Sequence, residues 1–185
     1  MNIFILDNDP VIAAQMQCDK HVVKMIVESA QMLSTVHRMV DGTMERRPSK
    51  SGSMLQYWKL PDEREDLLYK ACHFNHPSTV WTRESSLNYR WHYDHFMALC
   101  KEYTYRYEKI HATETKLSYA LSNLPNKIQV TNFKTPFKLA MAQFPECIVE
   151  NPVESYRNFY QTKQARFKMA WTKRPIPEWF NYANV

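Results

Sequence analysis

Residues 19–39 read Asp19-Lys-His-Val-Val-Lys-Met-Ile-Val-Glu-Ser-Ala-Gln-Met-Leu-Ser-Thr-Val-His-Arg-Met39, and their spacing predicts a long amphipathic helix. Val22, Val23, Ile26, Ala30, Leu33 and Val36 recur at helical intervals and form one apolar stripe. His21, Lys24, Glu28, Gln31 and Thr35 are spaced three, four, three and four, so they share the opposite face. Ahead of this stretch, Asp9-Pro10 reads as an N-cap followed by proline at the first helical position. Asp19 reads as a second N-cap that could restart the helix, so the region is expected to be either one kinked helix or two.

Working outward, Asn2-Ile-Phe-Ile-Leu6 is a short apolar run with β-branched and aromatic content, and it predicts one buried strand. Residues 41–53 hold both glycines of the chain together with Arg46, Arg47, Pro48 and Lys50, and are expected to be a mobile basic loop. Asp62 with Glu65 gives a capping-box pattern for a helix to about Cys72. His73–Pro77 breaks it, Ser78 caps the next segment, and residues 79–111, with no Gly or Pro, predict the longest helix. A short helix is expected at 114–124. Four prolines make 125–152 irregular, with one helical turn near 138–143. The final helix begins at Asn151, Pro152 and Glu154 and runs to about Trp171, with an aromatic tail packing back. The expected fold is mainly α, a single helical domain spanning 1–185 with one short N-terminal strand.

Composition narrows the function. The 185 residues carry a net charge of +5 and 14% aromatic side chains, a mixture that suits a surface meeting phosphates and stacking bases. Only Gly42 and Gly52 occur, so neither a phosphate-cradling loop nor a dinucleotide fingerprint is available, and no cofactor is expected. No apolar run approaches ~18 residues, so no membrane span is expected. The first residues lack a basic n-region. Cys18, Cys72, Cys100 and Cys147 have no paired spacing and read as reduced thiols of a cytoplasmic protein.

Four constellations could carry chemistry. On the first long helix, His21, Lys24 and Glu28 put a proton donor, an amine and a carboxylate on adjacent turns, with Gln31 beyond; a solvated polar face is the competing reading. The second spans His73 to His95, with His76, Trp81, Arg83, Glu84, Asn88, Arg90, Trp91 and His92. Clustered histidines suggest proton transfer or anion binding. Their two His-x-x-His spacings lack the remaining pattern of a zinc site, so no metal is expected. In the third, Arg106 and Lys109 end an aromatic stripe and could meet a phosphate. The fourth, Asp7-Asn8-Asp9, imitates the strand-end motif of haloacid-dehalogenase phosphatases but lacks the parallel sheet that motif needs.

The strings His21-x-x-Lys24-Met25-Ile26-x-Glu28-x-x-Gln31, His76-Pro77-x-x-x-Trp81-x-Arg83-Glu84-x-x-x-Asn88-Tyr89-x-Trp91, Glu102-Tyr103-x-Tyr105-Arg106-Tyr107 and Tyr156-Arg157-Asn158-x-Tyr160 resemble a group of small tailed-bacteriophage proteins of uncharacterised activity. The resemblance covers most of the chain and implies a phage protein working in the infected host's cytoplasm. It also raises the prior for chemistry on DNA or nucleotides. The expected function is a metal-independent enzyme acting on a nucleic acid or nucleotide, with a glycosidic bond as one point of attack that suits these groups. In it Glu28 is general acid or base, His21 or His92 its partner, and Lys24 nucleophile or anion clamp. Gln31, His76, Trp81, Arg83, Asn88, His95 and Arg106 would bind substrate. A non-enzymatic nucleic-acid-binding protein and a nucleotide-sequestering inhibitor remain the alternatives.

Overall fold

A computed structural model describes residues 1–182. Helix dominates it: α1 (Pro10–Gln15), α2 (Asp19–Asp41), α3 (Arg64–Leu67), α4 (Pro77–Glu84), α5 (Ser86–Tyr107), α6 (Ala112–Ser122) and α7 (Pro152–Gln161). One antiparallel hairpin, β1 (Thr43–Pro48) and β2 (Met54–Lys59), accompanies them. The central helix α2 packs against α4, α5 and α6, while α1 lies on α5. Trp81, Tyr89, Phe96, Tyr156 and Tyr160 are fully buried around it. No helix among the described residues is long and apolar enough to cross a membrane.

Local chemistry explains most boundaries. Asp9 accepts from the N–H groups of Val11 and Ile12, and Asn151 from that of Val153, each with proline opening the helix. The region 10–41 is two helices, separated at Met16–Cys18. The long helix expected over 79–111 is also two. Ser85 turns extended and its hydroxyl caps the Asn88 N–H, while Ser86 N–H leaves the helix for the Gln129 carbonyl. The cap of α4 is His76, whose Nδ1 accepts from Ser78 N–H, rather than Ser78 itself. Helix α7 ends at Gln161, well before Trp171, and a 3₁₀ turn over Thr162–Ala165 follows.

Three expectations are corrected. The run 2–6 is buried but forms no strand, because side chains take its backbone groups. Gln17 donates to the Ile3 carbonyl, Arg157 to that of Leu6, and Asn2 Oδ1 accepts from Phe4 N–H. Stretch 41–53 is the first strand and turn of the hairpin rather than a loop. Gly42 permits this: a Cβ there would press on the Arg38 carbonyl oxygen and stand 2.9 Å from that of Lys59. The helix expected over 62–72 shrinks to α3 because Glu65 does not fold back on Asp62. Its carboxylate instead takes Arg38, the Tyr57 hydroxyl and the Leu60 N–H. Partial burial works against that carboxylate, yet these three donors hold its pKa down to about 2. Segment 125–152 is irregular as expected, although its one short helix is 3₁₀ at Pro145–Cys147 rather than a turn at 138–143.

Arg38 is the main polar fixture of the interior. It is 1% exposed and all five of its donors are used, on Glu65 Oε2 and on the carbonyls of Trp58, Glu65, Leu68 and Tyr69. One side chain thereby pins the hairpin and residues 65–69 to α2.

Buried histidines set the acid sensitivity. Burial pushes His37 and His95 down to about 4 and His21 to about 3, and it drives His92 far below its ordinary value. In the unfolded chain each titrates near about 6.5. The unfolded state therefore binds more protons as pH falls below that value. Stability is complete above about pH 7 and should fall by about 1.4 kcal/mol per pH unit for each such histidine. That loss continues down to the folded-state pKa. Urea unfolding followed from neutral pH towards pH 4 should show the midpoint dropping steeply; a flat midpoint would contradict these neutral histidines.

Candidate active site

The first three turns of α2 open onto a cleft of about 290 Å³. His21, Lys24 and Glu28 line it from α2. Asn2 and Phe4 come from the N-terminal segment, Ala140, Gln143 and Phe144 from the irregular segment, and Phe159, Lys163, Arg166 and Phe167 from α7 and beyond. The volume lies near the lower end for small-molecule sites.

Asn2 ties three of these walls together. Its N–H donates to Glu28 Oε2 at 3.1 Å, its Nδ2 to the Ala140 carbonyl at 3.1 Å, and its Oδ1 accepts from Phe4 N–H at 3.0 Å. Glu28, 9% exposed, also meets Lys24 Nζ at 3.2 Å and the amino group of residue 1 at 3.7 Å. The Lys24 side chain is 66% exposed, so that pair contributes little to stability.

His21 is fixed by Tyr160, whose hydroxyl lies 2.7 Å from Nδ1. Assigning the hydroxyl proton to Nδ1 leaves the imidazole's own proton on Nε2, while the same oxygen also accepts from Cys18 N–H. Phe4 stacks on the ring at 4.6 Å and Phe167 meets it edge-on at 5.4 Å. Burial, followed by the charges of Lys163 and Lys24, holds the pKa near 3. His21 is thus a neutral hydrogen-bond donor, not the proton-accepting partner of Glu28 near neutral pH. Phe4 reaches this place with φ +54, a left-handed conformation that costs a non-glycine residue about 1–2 kcal/mol.

Lys163 is the least ordinary group in the cleft. It is 7% exposed, and its Nζ sits 3.4 Å from the centre of the Phe159 ring, with Phe144 at 5.3 Å and Phe4 at 5.9 Å. No carboxylate pairs with it among the described residues. Burial, and then neighbouring Arg166, lower its pKa to about 8. A substantial fraction of the amine is therefore neutral near physiological pH, which suits a nucleophile.

Of the side chains expected to act together, His21, Lys24 and Glu28 do converge. His76 lines an adjoining depression that shares Ala140, Gln143, Phe144 and Phe159 with the cleft. Burial lowers its pKa, and Glu28 is close enough to oppose that shift. Gln31 is half-buried one turn further along α2, outside the cleft lining.

The remaining candidates are fixtures of the fold. His92 is fully buried: Thr82 gives its hydroxyl proton to Ser78 O and so accepts from His92 Nδ1–H at 2.8 Å, leaving Nε2 without a partner. His95 is held by Gln17 and the Pro10 carbonyl. Trp81 Nε1 donates to the Thr135 carbonyl, while Asn88 donates to Trp81 O and Thr135 Oγ1 and accepts from Thr135 N–H. These two residues bind the irregular segment to α4 and α5. Arg83 donates to the Phe74 carbonyl. Arg106 is enclosed by Glu102, Asp19 and the Gln15 carbonyl, so it has no free donor face for phosphate. The polar variety around residues 73–95 reflects an interior that satisfies its own hydrogen bonds.

Asn2, Phe4, Gln143, Tyr160, Lys163 and Arg166 were not anticipated. For Lys163 a signal exists: it falls three residues after Tyr160 and four before Phe167, on an otherwise apolar stripe. Among the described residues no three of His, Cys, Asp and Glu gather as a metal-ligating group. Compared with protein-family models, curated proteins and solved structures, the chain matches none.

Proposed function

We propose that this cleft is the active site of an enzyme acting at the glycosidic carbon of a nucleotide or nucleic acid. The observation that carries the proposal is the pairing, in one aromatic-walled cleft, of a fixed carboxylate with a buried amine that has no carboxylate partner among the described residues. Phe4, Phe144, Phe159 and Phe167 offer ring faces or edges for a base. Lys24 and Arg166 supply positive charge for a phosphate. A phage origin, which the sequence resemblance implies without supplying an activity, would raise the expectation of nucleic-acid chemistry.

In this reading the neutral Lys163 amine attacks C1′. The new N–C1′ bond forms as the bond from C1′ to the base breaks, and the electron pair leaves with the base. His21 Nε2–H donates a hydrogen bond to the departing base, which takes up a proton as the attacking amine loses one. The Glu28 carboxylate steadies the positive charge that develops on the sugar. Opening of the sugar ring then gives an imine that water hydrolyses.

The test is to incubate the protein with deoxynucleoside monophosphates, single strands and duplexes, assaying released base and borohydride-reducible adducts. The adduct should map to Lys163, vanish in Lys163→Met, and form faster as pH rises through about 8, where the amine loses its proton. If no substrate releases base or gives an adduct, the glycosidic reading fails. The non-catalytic alternative, a nucleic-acid-binding protein, draws on the basic stretch 41–53, now seen within the hairpin.

A further inference from the structure

We infer that the β1–β2 hairpin is a docking element for a B-form DNA duplex, which makes polymeric DNA rather than free nucleotide the substrate class. The inference rests on the nucleic-acid reading of the cleft for the path of the DNA, but not for the hairpin's own binding. Between Thr43 and Lys59 there are four basic side chains and one carboxylate, which accounts for three of the chain's five net positive charges. The carboxylate, Glu45, is taken by Arg47, whose guanidinium also lies 3.7 Å above the Tyr57 ring. Arg46, Lys50 and Lys59 are exposed and have no carboxylate partner among the described residues.

Shape agrees with charge. A two-stranded antiparallel ribbon fits the major groove of B-DNA. This ribbon is exposed over both strands except at its base, where Tyr57 is half-buried and Trp58 packs on Phe74 at 4.8 Å. Met44, Met54 and Leu55 stand about half exposed on it, apolar contacts of the kind that meet thymine methyl groups. The base is fixed rather than hinged, because Arg38 holds the Trp58 carbonyl and Glu65 holds both the Tyr57 hydroxyl and the Leu60 N–H. Glu28 and the start of the hairpin are separated by thirteen residues of α2, about 20 Å of helix. That corresponds to roughly six base steps of a duplex. Residues 73–76 bridge the interval, with His76 beside the cleft and Phe74 beneath the hairpin.

The test is fluorescence anisotropy with a duplex of about 20 base pairs across a salt series, comparing the wild-type chain with Arg46→Gln/Lys50→Gln/Lys59→Gln. All three positions are exposed, so the melting temperature should be unchanged and serves as the folding control. The slope of log K against log salt should shrink by about 2.7, and duplex affinity near about 100 mM salt should fall at least ~10-fold. Affinity for a deoxynucleoside monophosphate should not change. Failure of the wild-type chain to bind duplex at about 50 mM salt would overturn the inference, as would an unchanged slope in the variant. If duplex binding depends on the hairpin while no base is ever released, the docking inference stands and the enzymatic reading of the cleft falls.

Discussion

Replacing Glu28 with glutamine should lower turnover at the glycosidic carbon by about 10²–10⁴-fold while leaving the fold in place. The two effects separate because of how the carboxylate is held. Glutamine preserves the shape and keeps an oxygen to accept the Asn2 N–H. Of the two cations that lose their partner, Lys24 is largely solvated and the buried amino group of residue 1 stands 3.7 Å away, so stability should change by about 1–2 kcal/mol, a shift of a few degrees in Tm. What glutamine cannot do is carry a full negative charge toward a developing sugar cation in the cleft lined by Phe4, Phe159 and Phe167. The loss should therefore appear in kcat with KM little altered. Undiminished turnover would remove Glu28 from the mechanism. A fall of several kcal/mol in stability would make it a structural residue that anchors the N-terminal segment.

The second large effect is on stability. Arg38→Met keeps the length of the side chain and removes every donor of the guanidinium. The carbonyls of Trp58, Glu65, Leu68 and Tyr69 then lose their partner together, and the Glu65 carboxylate loses its cation. Breaking a buried, fully hydrogen-bonded pair of this kind costs about 3–5 kcal/mol. Urea denaturation should register that loss. Limited proteolysis should find new cleavage within 43–59, because the variant loses the pin that holds the hairpin to α2. Wild-type stability in the variant would mean that solvent or rearranged neighbours satisfy these carbonyls.

Helix α2 was legible in the sequence because its apolar residues repeat over about four turns. The starts of α1 and α7 were legible because Asp9-Pro10 and Asn151-Pro152 act on their own neighbouring N–H groups. Ser85 acts in the same way, yet a serine within an unbroken helical period gives no warning unless it is weighed as a cap. The hairpin was hidden for another reason: its strands face outward, so no alternation of buried and exposed residues marks them. Residues 2–6 announced their burial but not their partners, which are side chains of Gln17, Asn2 and Arg157 rather than a neighbouring strand.

The same distinction divides the cleft. His21, Lys24 and Glu28 share a helix face, so their convergence follows from periodicity alone. Tyr160 meets His21 across 139 positions of sequence, and Asn2 reaches Ala140 across 138, distances over which no local rule operates. The histidines of α5 misled because polar residues at helical spacing look alike whether they face a ligand or a buried hydrogen-bond network.

Position 4 is where the demands of folding and of the cleft pull apart. A left-handed backbone would be relaxed by glycine and better tolerated by asparagine, so for folding alone phenylalanine is the poorer choice. Yet its ring covers one face of His21 and approaches the Lys163 amine. A lineage released from the need for this cleft would be free to drift toward glycine or asparagine there. One that kept the aromatic ring would be holding on to a less comfortable chain for the sake of what the cleft accepts.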